Sequence, residues 1–273
     1  RRMPVMIRVD GNAFHTFTRG FERPFDSIMA ESMQRTMKYM CENISGCVLG
    51  YTQSDEITLA LIDYKKKNQG AWFGYVKRKV ETIAASMATM AFNEAFSDVI
   101  TEKISEDIMK VQNDEETEKV KDYYFKYVKK CGRAMFDARA FNIPEFEVVN
   151  EFIWRQQDCT RNSIQSVGHA NFSDKKMHKK NMSQIQDMLM LKKGINWNDF
   201  PTFLKRGSCC IKEDYFIPEN ELPENHRNNL SPRTLDPEED EYGVWRSRWI
   251  IDKEIPIFTQ NKNYVNDLFL NKH

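Results

Sequence analysis

The chain has 273 residues, 41% of them hydrophobic and 29% charged, with 40 basic and 40 acidic side chains. With a mean hydropathy of −0.65, this is an ordinary globular composition, which excludes collagen-like, mucin-like and wholly disordered chains. The charge balance hides an asymmetry: residues 213–243 carry ten acids against two basic residues, and residues 101–118 seven against two, so the remainder holds a surplus of 13 positive charges.

That surplus suits a basic face for phosphates, and it equally suits solvated lysine-rich helices. No apolar run approaches the ~20 residues of a membrane span, and no charged-then-apolar signal segment opens the chain. Cys41, Cys47, Cys131, Cys159, Cys209 and Cys210 show no C-x-x-C or paired Cys/His spacing. Reduced thiols in a cytoplasmic protein are expected, not a disulfide scaffold or a zinc site.

In chain order, the apolar run ending at Asp10-Gly11 reads as a strand. Asp26 then stands at an N-cap position before Met29, Met33, Met37, Met40 and Ile44, whose helical spacing predicts a core-facing helix. CVLGYTQ (47–53) and EITLALID (56–63) predict a hairpin with Ser54-Asp55 at its turn. A helix is expected over 73–96, with Phe73, Val76, Val80, Ile83, Met87 and Met90 inward and Lys79, Thr82, Ser86 and Thr89 on a polar flank. Residues 98–122 read as a peripheral helix or lid, and AMFDARAFNI (134–143) as a strand.

Pro144 opens a further helix, with Phe146, Val149 and Ile153 inward and Arg155, Asp158 and Asn162 on another face. Residues 174–193 are lysine-rich and helical. GSCCIK (207–212) and VWRSRWII (244–251) are late strands, with a proline-rich acidic loop or insertion between them. The order β-α-β-β-α-β predicts an α+β class: a ferredoxin-like split βαβ antiparallel sheet with helices on one face, plus a C-terminal extension. Residues 1–143 are expected to form the catalytic core, and residues 144–273 a helical and C-terminal region that completes the same unit.

In such a sheet the first strand lies beside the hairpin, so Asp10 and Asp55 converge at one edge. Clustered carboxylates repel unless neutralised, and Mg²⁺ bound partly through substrate phosphates is a natural neutraliser. Two such ions suit phosphoryl transfer. Plain turn-forming roles for both acids fit the spacing as well. The small residues of Gly11-Asn12-Ala13-Phe14-His15 let backbone N–H groups approach phosphates closely. Arg8, Arg23 and Lys79 are cations of the kind a triphosphate needs. His15 suits a general base, a stacking ring or a packed residue.

These segments resemble the tRNA-histidine guanylyltransferase family: R-V-D-G-N-A-F-H (8–15), Arg23-Pro24 with Asp26, and G-Y-T-Q-S-D-E (50–56). So do Lys79-x-x-Thr82-x-x-Ala85-Ser86, Phe136-Asp137-Ala138-Arg139, W-R-Q-Q-D-C (154–159) and K-R-G-S (205–208), in the family's order over most of the chain. The resemblance implies a polymerase-palm-like fold and an enzyme that extends RNA at its 5′ end. It implies that Asp10, Asp55 and the Gly11 carbonyl hold two Mg²⁺ ions, with Glu56 beside them. Residues 10–15 and Ser54-Asp55 would line the nucleotide, and Arg8, Arg23, Ser54, Lys79 and Asn162 would contact the activating or incoming triphosphate.

The implied chemistry activates a tRNA 5′-monophosphate with ATP. That step leaves an adenylylated end and releases pyrophosphate; the 3′-hydroxyl of GTP or another nucleoside triphosphate then attacks this end, AMP leaves, and pyrophosphate is finally removed from the new end. A homotetramer is implied too. Where eukaryotic members carry H-I-N-N-L-Y-N, this chain has T-R-N-S-I-Q-S (160–166). That pattern resembles the Thg1-like branch, which repairs 5′-truncated tRNA by templated addition, more than enzymes adding a single G to histidine tRNA. Arg155, Arg161, Lys179 and Lys180 are candidate contacts to the tRNA backbone. The rival classes are a nucleotide cyclase, whose G-G-[DE]-E-F turn is absent here, and a non-catalytic tRNA-binding protein.

Overall fold

The computed structural model describes residues 3–64, 69–226, 230–233 and 241–270. The first half runs β1 (Val5–Gly11), α1 (Phe14–Phe17), α2 (Ser27–Asn43), β2 (Cys47–Gln53), β3 (Glu56–Leu61), α3 (Lys77–Ile108), α4 (Asp114–Val128) and β4 (Phe136–Asn142). The second half adds α5 (Val148–Asn171), α6 (Asp174–Met177), α7 (Met182–Lys193), α8 (Thr202–Arg206), β5 (Ser208–Pro218), β6 (Ser231–Pro232), β7 (Tyr242–Asp252) and α9 (Asn263–Leu270).

The strands form one sheet in the order β4-β1-β3-β2-β5-β7-β6, and every pairing is antiparallel. The first four strands with α2 and α3 are the expected split βαβ unit. Strand alternation explains the layers. Ile7 and Val9 of β1, with Ile57, Leu59 and Leu61 of β3, join the methionines of α2 and the inner face of α3 in one core. Met33, Met37 and Met40 are at most 1% exposed, so the methionine stripe is core. The Asp26 carboxylate caps α2 by accepting from the Met29 amide at 3.0 Å.

The opposite side chains, Met6, Leu49, Tyr51 and Ala60, form a second core under α5 and α9. Helices therefore cover both faces of the sheet, one more than the pattern predicts. Beyond β2 the sheet continues into β5 through three residue pairs, Gly50↔Cys210 to Thr52↔Ser208.

Several local expectations change. The long helix starts at Lys77, so Phe73 and Val76 precede it and are exposed, as is Met90. Val80 is buried as expected and Met87 packs against the core, and the buried rows continue through Ala84, Ala88, Ala91, Phe92, Ala95, Phe96, Val99 and Ile100. Four of these are small alanines, which a search for large apolar side chains passes over. Residues 98–122 divide between the end of α3 and the start of α4, and α4 is anchored by buried Tyr124 and Tyr127. Phe146 sits in a 3₁₀ turn and is exposed.

The acidic stretch after Lys212 begins as strand, not loop: β5 pairs with β7 from Cys209↔Asp252 to Pro218↔Gly243. Its two acids are consecutive: Asp214 is exposed, and the partly buried Glu213 meets Arg248 at 2.8 Å across the ladder. Residues 227–229 and 234–240 of the acidic segment lie outside the described residues.

Candidate functional site

Asp10 is the last carboxylate of β1 before the chain turns. Its register partners are Glu56 on β3 and Asp137 on β4, so three acids stand abreast on adjacent strands. The hairpin turn adds Asp55, because the Gly11 amide donates to the Asp55 carbonyl at 3.1 Å. Ser54 sits at φ 50° and its Oγ donates to Asp55 Oδ1 at 3.0 Å. The turn thus aims the Asp55 carboxylate toward the end of β1.

The loop after Asp10 is shaped by packing as much as by chemistry. A Cβ on Gly11 would lie 2.3 Å from the Phe14 ring, so a larger residue there collides. Phe14 is 4% exposed and packs against Phe17, Phe92 and Phe136 at centroid distances of 4.9–5.5 Å. That ring cluster pins a tight turn through Asn12 and Ala13, whose φ is 54°, with the Asn12 amide bonded to the Met135 carbonyl at 2.8 Å.

A cavity of about 550 Å³ opens beside this turn, within the range that takes a nucleotide-sized ligand. One wall carries Phe14, His15, Arg19, Arg23 and the Thr52–Asp55 strand end; the other carries Cys159, Asn162 and Ser163 of α5, with Phe203, Leu204 and Ser208. Of the expected residues, Phe14, His15, Arg23, Ser54, Asp55 and Asn162 meet here. Asp10, Gly11, Asn12 and Ala13 form the strand end and turn beside it.

Others stand apart. Arg8 lies on the sheet face, 3.8 Å from Glu151 of α5. Lys79 is exposed near the start of α3, with its ammonium 4.8 Å from the Phe73 ring centroid, and is not among the lining residues. Arg155 is engaged internally, 3.0 Å from Glu56. Arg161 pairs with Asp158. Both arginines line a second cavity, with Trp154, Trp197, Lys205 and Arg206, on another side of α5. Lys179 and Lys180 are exposed in the α6–α7 connection.

Burial raises the Asp55 carboxyl above its ordinary range; Ser54 pulls it back down, and the charge of Asp10 adds to the rise. Burial likewise raises Glu56, against the lowering pull of Arg155 and Arg8. Burial pushes the Cys159 thiol up to about 12, so this cavity-lining cysteine is a poor nucleophile at neutral pH. The donor set at the edge is therefore oxygen: two mutually repelling carboxylates and a nearby main-chain carbonyl. Such a set suits a hard divalent cation completed by ligand phosphates. Among the described residues no group of three or more acids, histidines or cysteines is arranged to hold an ion unaided.

Arg19, Gln53, Cys159, Ser163 and Ser208 of the cavity wall, and Asp137 opposite Asp10, were not among the candidates. Asp137 and Ser208 stand inside F-D-A-R and K-R-G-S, so the motif segments did carry a signal for them. Arg19, beside the turn, carried none. Among the described residues no helix is long and apolar enough to cross a membrane.

The sequence matches the family model of tRNAHis guanylyltransferase over residues 1–144. It is 31% identical over 217 residues to the uncharacterized protein R259 of Acanthamoeba polyphaga mimivirus, covering 76% of this chain and 69% of that one. Its fold is similar to a bacterial tRNA(His) guanylyltransferase (Thg1)-like protein solved in complex with ATP, with TM-score 0.73 and 37% identity over 98% of this chain and 90% of the other. A GTP complex of a bacterial Thg1-like protein gives 0.68 and 34%, over 99% and 91%. With the carboxylate edge and the adjoining cavity in place, these matches show that the chain belongs to the tRNAHis guanylyltransferase family.

Proposed function

We propose that this protein is a nucleotidyltransferase that adds nucleotides to the 5′ end of truncated tRNA, in the 3′-to-5′ direction and against the paired strand. One observation carries this reading: two clustered carboxylates, Asp10 and Asp55, at the edge of a nucleotide-sized cavity whose walls supply Arg23, Ser54 and Asn162. Bacterial relatives that bind ATP and GTP support nucleotides as the small substrates. The T-R-N-S run at 160–163 favours templated repair over addition of a single G to histidine tRNA.

In this reading Asp10, Asp55 and the Gly11 carbonyl hold two Mg²⁺ ions, which supply charge neutralisation at the phosphates and a more acidic attacking hydroxyl. The turn at Gly11–Ala13 brings main-chain amides to the triphosphate, and Arg23 and Asn162 orient it as donors. His15 stands at the base or sugar of the nucleotide. The same cavity serves ATP during activation of the 5′-monophosphate and the incoming triphosphate during addition. Residues 1–143 supply the carboxylates, and residues 144–273 supply the second wall of the cavity. Arg161, Lys179 and Lys180 lie on the tRNA side, Arg8 and Lys79 assist from outside the cavity, and the working form is a cytoplasmic homotetramer.

The test is incubation with Mg²⁺, ATP, GTP, CTP and UTP and labelled tRNAs, either complete or lacking the first nucleotide. Extension confined to the truncated tRNA and matching the opposite strand supports the proposal. A single G added only to histidine tRNA, whatever stands opposite, replaces it with the guanylyltransferase activity. Binding of tRNA without nucleotide consumption makes the protein a non-catalytic binder.

A further inference from the structure

The end of α4 and the loop after it carry a feature that the cavity does not use. From Tyr123 to Phe136 the sequence holds four cations, Lys126, Lys129, Lys130 and Arg133, and no carboxylate. None of the four has a salt bridge among the described residues, whereas Lys119 and Lys121, one to two turns earlier on the same helix, pair with Glu115 and Glu118 at 2.6 and 3.2 Å. Helix polarity accounts for cations in the last turn of α4, but the run continues past the helix end to Arg133.

Apolar side chains stand exposed among these charges. Phe125 is 63% and Met135 59% exposed. The Lys129 ammonium lies 5.9 Å from the Phe125 ring centroid, and Lys126 lies over the rings of Tyr123 and Tyr127 at 4.3 and 4.9 Å. The segment is bonded to the nucleotide turn at two points: Lys130 Nζ donates to the Thr16 carbonyl at 3.0 Å, and the Met135 carbonyl accepts from Asn12. Arg19 and Arg23 continue the positive rim into the cavity. Nearby, Glu22 accepts from Tyr123 and Asp26 from Tyr127, which ties α4 to the Arg23 segment.

We infer that Lys126, Lys129, Lys130 and Arg133 form a track for an RNA phosphate backbone, leading the strand toward the carboxylate edge. The inference rests on the proposed function for the identity of the RNA. Cations without a carboxylate partner among the described residues, beside the exposed rings of Tyr123 and Phe125 and leading to the proposed phosphate site, are complementary to a polyanion that carries bases.

The experiment measures binding of a 3′-labelled truncated tRNA, without nucleotides, to the full chain over a series of KCl concentrations. Lys129 and Arg133 are exposed, so Lys129→Gln/Arg133→Gln is compared with wild type and with Lys119→Gln/Lys121→Gln. Two lost phosphate contacts weaken binding about tenfold or more and flatten the slope of log Kd against log salt by about 1.5–2, while the KM for ATP is unchanged. The Lys119/Lys121 control keeps the wild-type slope. Equal losses in both doubles, or none in either, overturn the track. A Lys129/Arg133 variant that changes sedimentation but not tRNA affinity also overturns it, assigning the face to a second copy of the chain. Wild type that extends tRNA while the variant binds normally fails the track alone; wild type that neither binds nor extends tRNA fails the proposed function with it.

Discussion

Arg155 reaches from α5 to Glu56 and holds its carboxylate at 3.0 Å, with both side chains less than one-fifth exposed. Of the acids at the strand edge, Glu56 is therefore neutralised from within the protein, and in the proposed reading the cations fall to Asp10 and Asp55. Replacing Arg155 with Met leaves the mostly buried Glu56 carboxylate without its ion-pair partner, with only the weaker pull of Arg8. Such an unpaired partner costs about 3 kcal/mol, or a Tm loss of roughly 6–12 °C. Adding Glu56→Gln removes the stranded charge and recovers most of that loss; a thermal melt of both variants checks it.

Asp10→Asn and Asp55→Asn keep the shape of the edge and remove its charge. Each is expected to lower nucleotide addition on the order of 10³-fold, with circular dichroism unchanged. Wild-type-like turnover in either variant removes the two-ion reading.

Arg23 lines the cavity and Lys79 does not. Arg23→Ala should raise the KM for ATP about tenfold or more, the scale of a lost charge-assisted contact to phosphate. Lys79→Ala should change it less, and should slow extension of 5′-monophosphorylated RNA more than of 5′-triphosphorylated RNA. Equal effects on ATP from both variants would bring Lys79 into the site.

Gly11→Ala places a methyl against the Phe14 ring. That ring is fixed by three others, so it cannot swing away. Overpacking costs about 1–3 kcal/mol, and the displaced turn also loses nucleotide affinity. Calorimetry and nucleotide titration on the same preparation separate the two effects.

Much of this architecture was legible in the chain. Short apolar runs bounded by turn residues mark β1, β2, β3 and β4, and the Asp26 cap with the methionine stripe marks α2, because both depend on local spacing. Part of the burial of α3 escapes the apolar pattern because many of its contact residues are alanines, whose role follows from how closely its neighbours approach. The pairing of β5 with β7 is masked by Glu213 and Asp214, which break the apolar pattern, and Arg248 answers Glu213 across the ladder. Asp10 and Asp55 came out of strand order and turn chemistry together. The Glu56–Arg155 pair joins positions 99 residues apart, a distance no local pattern spans.

The cavity takes one wall from residues before 60 and the other from residues after 158, joined through the short β2–β5 seam. A chain cut after residue 144 keeps every carboxylate of the edge and loses the surface that faces them. The carboxylates and the wall that faces them are thus written in separate stretches of the gene. Exchanging residues 159–208 between relatives should retune which RNA end is accepted while leaving the reacting groups as they are.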